Sequence, residues 1–209
     1  EIASCLVGSE MCIRDRFSAG IATAVKNYKT AGSEMASAIS MLGATATNNK
    51  ISMEEQLAIL GQLQTTMSGS EAATKYKSFL NTAASAGEKL GLSFVDANNQ
   101  LLTTPEILQK LKDKYGDTLD AVEKQEIKSA FGTDEAVAMI DLLYNDIDGL
   151  TGGIDNLASS MKQGVSVTNE MAKAIDNTPE RKFEVLRQKI HNNACLLYTS
   201  PSPRDKRQS

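Results

Sequence analysis

The chain has 209 residues and a net charge of −4, with 22 basic and 26 acidic side chains. This mixed, mildly acidic charge argues against direct nucleic-acid binding, which calls for a basic stripe, and no apolar run approaches the ~20 residues of a membrane span. Few prolines, no tryptophan and abundant Ala, Ser, Lys and Glu predict a mainly α fold with small-residue packing.

The two ends show a relation that selection on a folded protein does not produce. One choice of codons for residues 6–15 gives a DNA whose reverse complement, read two bases in, encodes L-L-Y-T-S-P-S-P-R, the sequence of residues 196–204. This DNA resembles the end of a transposase-based sequencing-library adaptor. We therefore interpret residues 1–16 and 195–209 as adaptor artefacts and exclude them from fold reasoning, as is done for tags. Residues 17–194 are then expected to be an internal fragment of a longer protein.

Removing the ends changes what the composition allows. Cys5, Cys12 and Cys195 all lie in them, so residues 17–194 offer no disulfide, thiolate metal site or cysteine nucleophile. The same residues carry 17 basic and 22 acidic side chains, a net charge of −5.

Residues 17–47 are predicted to form one helix, because small and apolar residues recur at spacings of three and four. The seam consists of Val25, Tyr28, Gly32, Met35, Ile39, Leu42 and Ala46. Few leucines and Gly32 favour close antiparallel packing over a strong parallel coiled coil. A membrane-surface helix is the alternative, but the polar face of Ser, Thr and Asn argues against it.

A helical hairpin is predicted next. Ser52 and Glu55 fit a capping box, in which Ser52 accepts from the Glu55 amide and Glu55 reaches back to the cap amide. The helix is expected to stop at residues 67–70, where Ser70 caps a second helix that Gly91 ends. Leu92, Phe94 and Leu101 flank an Asp-Ala-Asn-Asn turn, so a small β-hairpin is predicted near residues 92–102, packed on the helices.

Further helices are predicted from cap and turn residues. Thr104-Pro105-Glu106 starts one that ends at Tyr115-Gly116, and Asp117 or Thr118 caps the next. Thr133, after a break at Gly132, caps a helix over 134–145 that is expected to be the most buried because it is the most apolar. Residues 148–167 predict a helix or hinge, and helices are predicted over 168–175 and 181–191. An apolar stripe on the last helix consists of Phe183, Leu186 and Ile190.

The sequence offers no catalytic, cofactor-binding or metal-binding residues. Setting Gly149 at position six of a calcium loop puts Tyr144 at position one and Asp155 at position twelve, where a carboxylate and a bidentate glutamate are needed. An ordinary helix end is therefore favoured over calcium binding. His191 is the only histidine and has no acidic or cysteine cluster around it. The acidic pairs Glu54/Glu55, Asp113/Asp117 and Asp134/Glu135 suit helix starts and exposed faces.

The order and spacing of several segments resemble the core domain of phage tail tape measure proteins. These segments are I-S-M-E-E-Q-L-A-I-L-G-Q-L at 51–63, G-S-E-A-A-T-K-Y-K-S-F-L at 69–80, L-G-L-S-F-V-D-A-N-N-Q-L at 90–101, P-E-I-L-Q-K-L at 105–111 and A-F-G-T-D-E-A-V-A-M-I-D-L-L at 130–143. The stretch at 170–186 is similar to the family's exit into long helices. Two turns depart from the pattern: Gly69-Ser70-Glu71 stands where Ala-Gly-Thr is frequent, and Asn99 stands where a glycine is frequent.

The resemblance implies a non-enzymatic virion assembly protein that sets tail length and occupies the tail tube lumen before DNA ejection. It implies partners among the tail tube protein, tail assembly chaperones and tail tip proteins, and a place in the virion tail after assembly in the host cytoplasm. We expect self-association in several copies through residues 25–46 or 183–190. The expected division is an N-terminal helical arm over 17–50, a compact tape-measure core over 51–147 and a C-terminal helical arm over 148–194.

Two rival interpretations remain open at this point. A bacterial helical interaction module without enzymatic activity has the same composition, and neighbouring tail genes would distinguish the two. An enzyme is the second rival, since tape measures carry wall-hydrolase domains elsewhere in the chain, but residues 17–194 contain no catalytic constellation.

Overall fold

The computed structural model describes residues 2–164, 166–167 and 169, with the backbone alone for residues 2–14. All but residue 169 belong to one compact unit, Glu1–Val167. The helices predicted over 168–175 and 181–191, the stripe at Phe183, Leu186 and Ile190, and His191 lie outside the described residues.

The described part of the chain is mainly helical, which confirms the predicted class. Its helices are α1 (Ile2–Tyr28), α2 (Gly32–Leu42), α3 (Ala44–Asn48), α4 (Met53–Leu63), α5 (Gly69–Leu90), α6 (Thr104–Tyr115), α7 (Ala121–Phe131), α8 (Asp134–Leu143) and α9 (Ile147–Gln163), with a 3₁₀ turn at Tyr144–Asp146 before α9.

The single helix predicted over 17–47 is wrong, since α1, α2 and α3 take its place. The chain leaves α1 at Lys29, whose φ of +55° no right-handed helix accommodates, and leaves α2 at Gly43 with the same φ. The two turns fold α2 and α3 onto α5. Met35, Leu42 and Ala46 from the predicted seam are buried by this packing.

Helices α4 and α5 form the centre of the described unit. Helices α1 and α9 pack on α4, whereas α2, α3, α7 and α8 pack on α5. Eight of the eleven residues of α4 are buried, against four of the ten in α8. The prediction that α8 is the most buried helix is therefore wrong. Neighbouring helices cover α4 on all sides, so even its polar residues Glu55 and Gln56 are buried.

The β-hairpin predicted near residues 92–102 is not confirmed, because the described residues contain no strand. A single antiparallel bridge joins Val95 to Leu101. The Asp96 carboxylate accepts from the amides of Asn98 and Gln100, both at 2.8 Å, and helps to close the turn. Two backbone bonds also cross it, from the Asp96 amide to the Gln100 carbonyl and from the Leu102 amide to the Phe94 carbonyl, both at 2.8 Å. The Phe94 side chain is buried against α5 and α7.

The helix ends show which sequence signals hold. Gly91 and Gly132 end α5 and α7 in the left-handed conformation, as predicted. The cap of α5 is Ser68 rather than Ser70, and the cap of α7 is Asp120 rather than Asp117 or Thr118.

The predicted helix or hinge at 148–167 is a continuous helix, α9, as far as Gln163. Its buried residues Leu150, Leu157 and Met161 belong to the same core cluster as α4. Among the described residues, no helix is both long and apolar enough to cross a bilayer. The predicted division into arms and core at 50/51 and 147/148 stays a prediction.

Candidate functional site

The acidic residues considered for chemistry lie at helix starts and on surfaces. Glu54 and Glu55 are in the first turn of α4, and Asp134 and Glu135 are in the first turn of α8. The considered calcium loop begins as a 3₁₀ turn, and its Asp146 carboxylate accepts from the Gly149 amide at 3.1 Å to cap α9. Within the described residues no three or more His, Cys, Asp or Glu side chains are placed to hold a metal.

The most unusual chemistry lies where α4, α5 and α6 meet, at a buried polar cluster of Glu55, Tyr76 and Thr104 that we call the α4–α6 junction. Glu55 is 2% exposed, and its carboxylate accepts from the Thr104 amide at 2.7 Å. The second half of the predicted capping box is therefore wrong: Ser52 does accept from the Glu55 amide, at 3.2 Å, but Glu55 caps α6 instead of its own helix. A carboxylate from α4 thus caps the first amide of helix α6.

Burial dominates the electrostatics of this junction. It raises the pKa of Glu55, the Thr104 hydrogen bonds oppose that rise, and the nearby charge of Glu106 adds to it. Burial also raises the pKa of Tyr76 well above its usual value, helped by the Glu55 charge. The hydroxyls of Tyr76 and Thr104 are buried, and neither completes a hydrogen bond of good geometry.

Other helix ends are also capped by side chains from elsewhere in the fold. The amide of Gly69, at the start of α5, donates to Glu34 of α2 at 2.7 Å. At the other end of α5, Lys114 donates to the carbonyl of Leu90 at 3.0 Å, and Lys89 donates to Ala130 near the end of α7 at 3.1 Å. These bonds satisfy groups that a helix leaves unpaired at its ends.

A tyrosine caps the end of α6 in the same manner. The Tyr144 hydroxyl donates to the carbonyl of Gly116 at 2.6 Å. Burial, followed by the charges of Glu123 and Asp117, raises the pKa of Tyr144 to about 12, so the hydroxyl remains a donor at any physiological pH. Together with the lysine and glutamate caps, this bond joins the ends of α5, α6 and α7 to other helices.

Glycines let α1 lie close to α4 and α9. The Tyr28 side chain of α1 fills the space that a side chain on Gly61 of α4 would need, and its hydroxyl lies against Gly153 of α9. Closer to the start of α1, Gly20 is in contact with Met161 of α9. The three helices therefore pack by placing large side chains of one against glycines of another.

Two open clefts lie on the described surface near features discussed above. One, of about 540 Å³, lies between α2, α5 and α8 and exposes Met41, which is 46% accessible, beside Glu71, Lys75 and Glu135. Another, of about 410 Å³, lies over the α4–α6 junction and is bordered by Glu106 and by Asp148 of α9. Both are open to solvent, unlike the enclosed form of a small-molecule site.

The segments predicted to self-associate are only partly described. Within 25–46, Met35, Ala38 and Leu42 pack inside the chain against the core, whereas Met41 stays exposed. Residues 183–190 lie outside the described part. Self-association therefore stays a prediction.

Sequence reasoning missed the buried position of Glu55. A glutamate three residues after a capping serine is the expected member of an exposed capping box, so no local signal marks it as buried. Only the fold of α6 back onto the start of α4, 49 residues later in the chain, makes Glu55 an interior group.

Comparisons with known proteins identify the family. The model of the phage-related minor tail protein family matches residues 14–132, more than half of the chain. No curated protein and no solved structure matches the chain. The matched range contains the α4–α6 junction and every helix from α2 to α7. The chain belongs to the phage-related minor tail protein family.

Proposed function

We propose that this protein is the tail tape measure of a phage and that residues 51–147 are its compact core. Membership of the minor tail protein family makes the chain a structural component of the phage tail. The observation that carries the finer assignment is that the family match over 14–132 covers four of the five segments that resemble tape measure cores and begins the fifth.

In this proposal the length of the whole protein sets the length of the tail. An α-helix rises 1.5 Å per residue, so a helical chain laid along the tube axis defines a distance in proportion to its residue count. Several copies fit a narrow lumen only if the helices approach closely. Contacts of the kind made by Gly20, Gly61 and Gly153 support such packing, because each glycine leaves room for a large side chain of the neighbouring helix.

The proposed partners are other tail components. They are further copies of the chain, the tail tube protein that surrounds it, the tail assembly chaperones and the tail tip proteins. The proposed place is the lumen of the tail before DNA ejection, after assembly in the host cytoplasm. We propose no reaction and no cofactor for these residues, since their acidic groups cap helices.

Tail length tests the proposal directly. In the phage that encodes this chain, an in-frame deletion of about 100 helical residues outside the family match should shorten the tail by roughly 150 Å. Duplicating the same residues should lengthen it by a similar amount, with electron microscopy of purified tails as the measurement. Tails of unchanged length in both mutants would overturn the assignment while leaving the minor tail protein family intact.

Self-association is tested separately by light scattering on the chain. The proposal expects oligomers that grow with concentration, and a monomer at high concentration would contradict it. The alternative of a bacterial helical interaction module has no observation in its favour, and the family match weighs against it. Genes for a tail tube protein and tail chaperones next to this one would support the phage assignment.

A further inference from the structure

The α4–α6 junction holds a carboxylate without a cation. Among the described residues no lysine or arginine forms a salt bridge with Glu55. The ionisable groups that face it are Glu106 of α6, Asp148 of α9 across the cleft and Tyr76 of α5. The amide and hydroxyl of Thr104, at the start of α6, favour the carboxylate, but the ionisable neighbours named are neutral or negative. A buried charge in such surroundings is costly.

The protonated carboxyl avoids the cost of a buried charge. It still accepts from the Thr104 amide through one oxygen, and its other oxygen gains an O–H donor. The buried hydroxyls of Tyr76 and Thr104 have no other hydrogen-bond partner, and each can accept from the protonated carboxyl or donate to the carboxylate. The neutral form thus removes the buried charge and keeps partners for its oxygens.

We propose that Glu55 is a proton-sensitive joint: its protonation on acidification tightens the contact of α4, α5 and α6, and its ionisation as the pH rises loosens it. The joint holds the start of α6 and the loop over residues 91–103 that connects α5 to α6. The proposal concerns the conformational stability of the chain and stands independently of the tape measure assignment.

The sign follows from linkage. Because the pKa of Glu55 is raised in the folded chain, the folded state binds this proton more tightly than the unfolded state. The stabilisation is complete below the ordinary pKa of 4.5 and is lost as the pH rises through the raised value. Each unit of elevation changes the ratio of folded to unfolded chain by up to tenfold.

Two variants of the full chain separate this joint from general acid effects. Glu55→Gln keeps the acceptor for Thr104 and carries N–H donors in place of the carboxylic O–H. Glu54→Gln removes the same charge from the same turn of α4, but Glu54 is only half-buried and is not among the groups that shift the pKa of Glu55 or Tyr76. The measurement is the thermal unfolding midpoint by circular dichroism between about pH 4 and pH 8, a range that begins below the ordinary glutamate pKa of 4.5.

The proposal expects the midpoint of Glu55→Gln to exceed that of the unmodified chain near neutral pH and to lose the pH-dependent fall that the unmodified chain shows. Glu54→Gln should retain that fall. Parallel pH profiles for the unmodified chain and Glu55→Gln would overturn the proposal, and so would equal effects of the two variants.

An NMR titration of the unmodified chain gives a second test that does not depend on the folding of a variant. The amide proton of Thr104 reports the charge of the carboxylate to which it donates. Its chemical shift should titrate with a midpoint above the ordinary glutamate pKa of 4.5. A midpoint at or below that value refutes the joint.

Discussion

Replacing Gly61 by alanine should destabilise the protein, although alanine is the better helix former. Gly61 lies inside α4, where alanine gains about 1 kcal/mol in intrinsic helix propensity. The new Cβ, however, would lie 2.7 Å from Cε2 and 2.8 Å from Cγ of the Tyr28 ring, and closer still to Cδ2. Ordinary van der Waals contacts of a Cβ are 3.4–4 Å.

The ring has no free direction in which to retreat. Its hydroxyl already lies against Gly153 of α9, so moving away from α4 drives it into the neighbouring helix. Overpacking of this kind costs about 1–3 kcal/mol. After subtraction of the helix-propensity gain, we expect Gly61→Ala to lower the free energy of unfolding by roughly 1 kcal/mol. That corresponds to about 2–4 °C in the thermal midpoint for a chain of this size.

Gly152→Ala is the matched control. Gly152 lies inside α9, and a Cβ there would meet nothing within 4 Å. It should therefore show the propensity gain alone, about 1 kcal/mol and a midpoint about 2–4 °C higher. Circular dichroism melts of both variants provide the comparison. If Gly61→Ala raises the midpoint as much as Gly152→Ala does, the close contact between α1 and α4 is not a constraint and the argument fails.

Three further substitutions and one control examine the helix ends and the core, each by urea unfolding at a fixed pH. Glu34→Ala removes the acceptor of the Gly69 amide and should cost about 1 kcal/mol, and an unchanged midpoint would mean that water replaces the carboxylate. Asp120→Ala should cost about 1 kcal/mol by uncapping α7, whereas Thr118→Ala should have no effect, and equal effects would contradict the assigned cap. Phe131→Ala should cost about 3–5 kcal/mol because the ring packs against two other phenylalanines, at 5.6 and 6.4 Å, and a loss below 1 kcal/mol would show that the core closes around the gap.

The sequence predicts helix ends well where the signal is a backbone conformation. Gly91 and Gly132 adopt positive φ, which other residues reach only with strain, so each marks the end of a helix regardless of tertiary context. Pro105 likewise marks the first turn of α6. Caps made by side chains are less certain, because several Ser, Thr and Asp residues in a row satisfy the same rule. Ser68 and Asp120 each lie within three residues of the position predicted.

Features that depend on distant residues were not predictable. The helix over 17–47 divides at Lys29, a residue with no preference for positive φ, because folding α2 onto α5 buries enough apolar surface to offset the strain. The three glycines in α9 indicate a hinge locally, yet the helix continues because Leu150, Leu157 and Met161 are held against the core. The paired segment around Asp96 is short, with one bridge and two backbone hydrogen bonds across it, and Phe94 at its edge is buried by the distant helix α7.

The described fold also shows that the family match is smaller than the structural unit. The match ends at residue 132, where α7 ends, but α8 packs on α5 and α7, and α9 packs on α1 and α4. Without α9, Gly153 would no longer confine Tyr28, and Leu57 of α4 would lose Met161 as a neighbour across Gly20. Helix α4 is buried by α1, which precedes it in the chain, and by α9, which lies beyond the family match. The family model therefore matches residues 14–132, whereas the burial of α4 also requires the chain as far as α9.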